Sequence, residues 1–175
     1  MRRNKLFILI GIFWLILIIG FITTKEFTLR TGKEVLLKTV PVDPRDLFRG
    51  DYVVLRYEIS RLDLNNIAAD YTDFKIGDRV YLALNKEDGY GVASRIFRNT
   101  PRTEKLFLKG IVKNVRDKNL TIEYGIESYF VPEGKGKEIE RLRAGKKLEV
   151  RVSVDKFGNL VIKSLLTDGK EIGFK

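Results

Sequence analysis

The sequence predicts a mainly β fold, an antiparallel sandwich or open barrel with one short helix, preceded by a single N-terminal transmembrane helix. Three observations lead there. Residues 6–22 are seventeen apolar positions without a break. Beyond them the chain breaks into seven or eight short runs of strand-like alternation, with turn residues at close intervals. Only two later segments carry a helical pattern, so no long helices are at hand for the crossovers of an α/β fold.

The apolar run comes first. At about 1.5 Å per residue, a helix over residues 6–24 spans about 28 Å, close to the thickness of a bilayer core. A cleavable secretory signal has a shorter apolar stretch and a small-x-small site. Phe21-Ile22-Thr23-Thr24-Lys25-Glu26-Phe27 offers no such site, which favours an uncleaved anchor. Arg2, Arg3 and Lys5 crowd the N-terminal end and favour its retention in the cytoplasm. The expected organisation is a cytoplasmic tail at 1–5, an anchor at 6–24, a linker at 25–34 and an extracytoplasmic β-rich domain at 35–175. The localisation expected is therefore the cell membrane, single-pass, with the lipid bilayer as one partner through residues 6–24.

The strands follow in order. Val35–Val40 is halted by Pro41, and Tyr52–Ser60 is the clearest strand, with Val53, Leu55, Tyr57 and Ile59 on one face. Arg79–Leu84 follows a Gly-Asp turn, and Gly91–Arg98 alternates. Leu106–Val115 turns through Asp117-Lys118-Asn119 into Leu120–Tyr124, a hairpin. Leu148–Val154 and Leu160–Leu166 flank Asp155–Asn159, a second hairpin. The two helical segments are Arg61–Ala69, as a short turn or helix, and Lys137–Arg143, stopped by Gly145.

Composition narrows the chemistry. The chain has no Cys and no His. Disulfides, thiolate nucleophiles, imidazole bases and His or Cys metal ligands are all excluded. Gln is absent, Met occurs only at position 1, and charged residues make up 32% of the chain. That depletion of heat-labile types beside abundant charge points to a thermophilic host. The net charge is +10, but the basic residues are interspersed with acids, as in Lys86-Glu87-Asp88 and Lys137-Glu138-Ile139-Glu140-Arg141. A nucleic-acid binder concentrates its basic residues in a stripe with interleaved aromatics, so no nucleic-acid partner is expected.

Chemistry-bearing residues gather in Pro41–Tyr52, which holds Asp43, Asp46 and Asp51 with Arg45 and Arg49. Three aspartates on one loop suit a hard cation or an acid/base pair. They equally suit a structured turn, with prolines fixing an extended approach and Gly50-Asp51 leading tightly into a strand. Gly50-Asp51-Tyr52-Val53-Val54-Leu55-Arg56-Tyr57 matches Gly-Asp-Tyr-x-x-Leu-x-Tyr. On this motif the chain resembles the GDYXXLXY family of bacterial membrane-anchored proteins. The Pro-x-Asp-Pro-Arg-Asp stretch before it is similar to that family, as is Tyr129–Gly136 with Glu138 and Glu140 after it. The resemblance covers most of residues 33–168. It implies one N-terminal anchor and a domain in the bacterial cell envelope, and it implies no activity, because the family is functionally uncharacterised.

Two enzymatic patterns fail. Type I signal peptidases are similarly anchored β-rich proteins in which Ser-x-x-Pro leads into a Gly-Asp pair. Here the position three residues before Pro44 is Pro41, and no Ser or Thr lies between Val40 and Asp51. Phe130-Val131-Pro132-Glu133-Gly134-Lys135-Gly136 has glycines but lacks the spacing and the Lys-Ser/Thr of a phosphate loop. The expectation is a non-catalytic accessory domain that binds a partner protein in the envelope, with no cofactor. Its candidate surface is Asp43, Arg45, Asp46, Arg49, Asp51, Tyr52 and Glu133. Gly50, Leu55, Tyr57, Pro132 and Gly134 are expected to serve the structure. Two alternatives stand beside it. One is a carboxylate-dependent hydrolase or cation-binding module on Asp43, Asp46, Asp51 and Glu133. The other is an envelope-polymer binder using Tyr52, Tyr57, Tyr90 and surface lysines.

Overall fold

The computed structural model describes residues 2–40, 52–132 and 148–173. The chain opens with α1, Arg2–Thr31, thirty residues long and about 45 Å from end to end. Its stretch Lys5–Thr31 is long and apolar enough to cross a membrane. Leu6 through Ile22 expose their side chains and pack none of them into the β-rich domain.

Residues 25–34 are not the linker expected from sequence. The helix runs through Thr31, Gly32 turns the chain, and β1 begins at Lys33. The helical stretch from Thr23 to Thr31 satisfies its own hydroxyls, which bond back to carbonyls one turn earlier: Thr28 to Thr24 at 3.0 Å and Thr31 to Phe27 at 2.8 Å. Its end is bolted to the sheet. The Thr28 carbonyl accepts from the Gly32 N–H at 2.9 Å and from Ser153 Oγ at 2.7 Å. A β-carbon on Gly32 would lie 2.5 Å from Ser153 Oγ, 2.6 Å from the Thr28 carbonyl oxygen and 2.9 Å from that of Val154. Only glycine fits this joint.

The strands are β1 (Lys33–Lys38), β2 (Tyr52–Val54), β3 (Arg61–Asp63), β4 (Ala68–Ala69), β5 (Arg79–Glu87) and β6 (Tyr90–Phe97). After them come β7 (Phe107–Arg116), β8 (Asn119–Glu123), β9 (Ser128–Phe130), β10 (Leu148–Val154), β11 (Leu160–Thr167) and β12 (Lys170–Glu171). One large sheet runs β12-β11-β10-β1-β6-β5-β7-β8-β3, with β4 beside β6. It is open, because β12 and β3 end the path without meeting. It is also mixed: β1 and β4 both run parallel to β6, where the sequence pointed to antiparallel pairing throughout. A separate two-stranded ribbon pairs β2 with β9.

The hairpins fall where the sequence placed them. β7 and β8 turn at Asp117, whose φ of 54° is the left-handed conformation that short polar residues tolerate. β10 and β11 turn over Asp155, whose carboxylate accepts from the N–H groups of Phe157 at 2.8 Å and Asn159 at 2.9 Å. One continuous core lies beneath, built from Val35, Leu37, Leu82, Ile96, Leu108, Ile122, Val150, Val152 and Leu165 with Val53 of the ribbon.

Two helical expectations meet different fates. Arg61–Ala69 is β3, a turn and β4, preceded by a short 3-10 turn at Glu58–Ser60. The Asp63 carboxylate accepts from the Asn65 N–H at 2.9 Å, which replaces the helical bonding the segment would have needed. The segment Lys137–Arg143 lies outside the described residues.

Candidate functional site

Tyr52–Tyr57, the described part of the signature, is a splice between the ribbon and the main sheet. Tyr52, Val53 and Val54 pair with Phe130, Tyr129 and Ser128. The Leu55 N–H then donates to the Glu127 carbonyl at 2.8 Å. One residue later the chain changes partners: the Arg56 carbonyl accepts from the Val40 N–H at 2.9 Å, and Tyr57 bridges Thr39. This change of partner is why the strand read as Tyr52–Ser60 is only three residues long. The side-chain alternation survives it. Val53, Leu55, Tyr57 and Ile59 are buried, while Arg56 and Glu58 face solvent.

Leu55 and Tyr57 are both fully buried in the core. Tyr57 is 1% exposed, and its hydroxyl donates to the Ile126 carbonyl at 2.7 Å. Tyr124 mirrors it, donating to the Ile59 carbonyl at 2.7 Å. Burial pushes both phenols well above their ordinary value near 10, so both stay neutral donors. Between them Glu127 closes the Tyr124–Glu127 loop by accepting from the Tyr124 N–H at 2.6 Å. Burial raises this carboxyl above its ordinary range, against the opposing pull of backbone N–H groups. Tyr57 is therefore sealed off from any external polymer. Tyr90 is engaged elsewhere: its hydroxyl donates to Glu149, and Lys38 lies 4.5 Å over its ring.

The ribbon's outer face carries Tyr52 beside Phe130, ring centres 5.9 Å apart. Phe130 is 77% exposed, the most open large apolar side chain described. Sequence reasoning passed over it as part of a loop; the signal was the Ser128-Tyr129-Phe130 alternation, which sends Tyr129 inward and Phe130 outward. Next to it a shallow groove is lined by Lys25 of α1, by Ile126, Ser128, Tyr129 and Phe130, and by Leu160 and Ile162 of β11.

Of the candidate surface, Tyr52 is described and sits partly exposed on this ribbon. Asp43, Arg45, Asp46, Arg49, Gly50, Asp51, Glu133 and Gly134 lie outside the described residues. What the structure fixes is their points of attachment. In the antiparallel register Tyr52 faces Phe130, so the residues before Tyr52 and those after Phe130 leave the ribbon at one end. Pro132, on the second exit, is exposed. The two motifs, far apart in sequence, thus share one departure point. Among the described residues no group of three or more His, Cys, Asp or Glu is disposed to hold a metal ion.

Comparison with known proteins gives one family. The sequence model of the GDYXXLXY protein family matches residues 14–165. No curated protein and no solved structure matches the chain. The match takes in the helix from Trp14 onward, the signature, the ribbon and nearly all of the large sheet, and the chain belongs to the GDYXXLXY family.

Proposed function

We propose that this member of the GDYXXLXY family is a single-pass, membrane-anchored domain facing out of the cytoplasm, and that it binds a partner protein of the bacterial envelope through the segments 41–51 and 133–147. The observation that carries the reading is the Tyr52–Phe130 pairing, which brings the described residues flanking both motif-bearing segments to one end of one ribbon. The apolar run of α1 and the basic cluster in its first turn support the anchor and its direction. The buried half of the signature builds the splice, and the reading assigns partner contact to Asp51, Tyr52 and Glu133.

Protease added to intact spheroplasts is expected to digest residues 25–175. Digestion only in inverted vesicles would overturn the outward orientation. Asp51→Asn keeps the turn-forming side chain and removes its charge, so it is expected to leave melting unchanged and to weaken partner cross-linking. Undiminished cross-linking by that variant would remove Asp51 from the surface.

The same convergence favours a second reading, a carboxylate site built from Asp43, Asp46, Asp51 and Glu133 that takes a hard cation. Calcium or manganese would then raise the melting temperature of the parent, and both Asp51→Asn and Glu133→Gln would abolish the rise.

A further inference from the structure

The groove beside Phe130 contains a residue of the anchor itself. Lys25 stands three residues past Ile22, the end of the apolar run, or about 4.5 Å further along the helix. A bilayer core takes about 20 apolar residues, so when α1 spans, Lys25 reaches the level of the lipid headgroups. Ser128, Tyr129 and Phe130 line the same groove as Lys25. They are held at that height because nothing between anchor and domain bends freely. The helix is unbroken to Thr31, and its end is fixed by the Ser153 hydroxyl on the Thr28 carbonyl and by the closely surrounded Gly32.

We propose that the outer face of the β2–β9 ribbon rests in the interfacial layer of the bilayer, with Phe130 inserted among the headgroups and upper acyl chains. The domain is then held to the membrane at two points, the helix and Phe130. The kind of surface fits. Phe130 is exposed at headgroup height, with the amphipathic Tyr52 ring against it and a lysine beside it. Phe27, two residues further along the helix on another face, is a second exposed aromatic ring just beyond the apolar run. Aromatic and basic side chains together are the composition that favours the membrane–water boundary. The inference rests on the anchoring reading and goes beyond it, because a domain on a rigid stalk needs no second contact with lipid.

The test uses the full chain in vesicles of phosphatidylcholine and phosphatidylglycerol, brominated on the acyl chains either near the headgroup or near the bilayer centre. The parent has one tryptophan, Trp14, in mid-span, and it reports on the anchor. Its emission is expected to be quenched most by the deep bromines. In the double variant Trp14→Phe, Phe130→Trp, the indole at position 130 is expected to be quenched most by the shallow bromines. No quenching at position 130, with Trp14 of the parent still quenched, would overturn the second contact and leave the anchor standing. No quenching of Trp14 by either lipid would remove the anchor and this inference with it. Because the chain has no cysteine, Phe130→Cys carrying a nitroxide gives an independent depth reading should the indole disturb the ribbon. A label as accessible to an aqueous relaxant as one free in water would also overturn it.

Discussion

Replacing Tyr57 with Phe removes one oxygen atom from the interior and leaves the ring in place. The lost bond is the 2.7 Å contact from the hydroxyl to the Ile126 carbonyl, with both groups buried. The carbonyl is then left without that donor, away from water. Stranding a buried polar group in this way costs about 1–3 kcal/mol. For a domain of this size each kcal/mol moves the melting temperature by about 3–4 °C, so Tyr57→Phe should melt roughly 3–12 °C below the parent. Tyr57→Ala removes the ring as well, and aromatic-to-alanine changes in a core cost about 3–5 kcal/mol before the hydrogen bond is considered. It should fall below the Phe variant by at least as much again. Near-ultraviolet circular dichroism of the full chain in nanodiscs follows both transitions. The pH dependence gives a second readout. The folded phenol is held well above 10, while in the unfolded chain it ionises near 10. The folded state therefore keeps a proton that the unfolded state loses, and stability falls as pH rises past 10. Tyr124 contributes the same slope, so Tyr57→Phe should remove part of the alkaline loss and leave the rest. A Tyr57→Phe variant that melts within about 1 °C of the parent would refute the structural role of the hydroxyl.

Two further predictions concern the joint and the loop. Gly32→Ala forces a β-carbon against backbone oxygens of Thr28 and Val154. It should destabilise by about 1–3 kcal/mol in a thermal melt and loosen the helix end, whereas Ala at the open Gly173 should do neither. Glu127 has a raised folded pKa, so the folded state binds its proton more tightly than the unfolded chain does. Its contribution is full below the ordinary value near 4.5 and is lost as pH rises through the raised value. Glu127→Gln should flatten that part of the stability–pH profile, and an unchanged profile would contradict the assignment.

The core face of the signature was legible because Val53, Leu55, Tyr57 and Ile59 alternate with polar or smaller residues, and alternation is a local signal. The turns at Asp117 and Asp155 were legible for the same reason. Pairings between distant segments were not. Nothing near Tyr52 announces Phe130 as its neighbour, and nothing near Leu36 announces a parallel contact with Tyr90. The helix end was misread because Thr-rich sequence has modest helix propensity. The stabilising contact comes from Ser153, more than a hundred residues away in sequence. Within the candidate site, the sequence identified the two motifs, and only the ribbon shows that they depart together. Phe130 escaped notice because whether a ribbon's outer face is covered depends on what packs over it, which local pattern does not encode.

The central claim is that the segments bearing Asp51 and Glu133 form one partner-binding surface. A photoreactive phenylalanine analogue placed at position 51 in one strain and at position 133 in another, irradiated in native membranes, tests it most directly. The account predicts that both positions yield an adduct with the same envelope protein, while the same analogue at Lys113, on β7, does not. Adducts with two different proteins, or with none from either position, would contradict it.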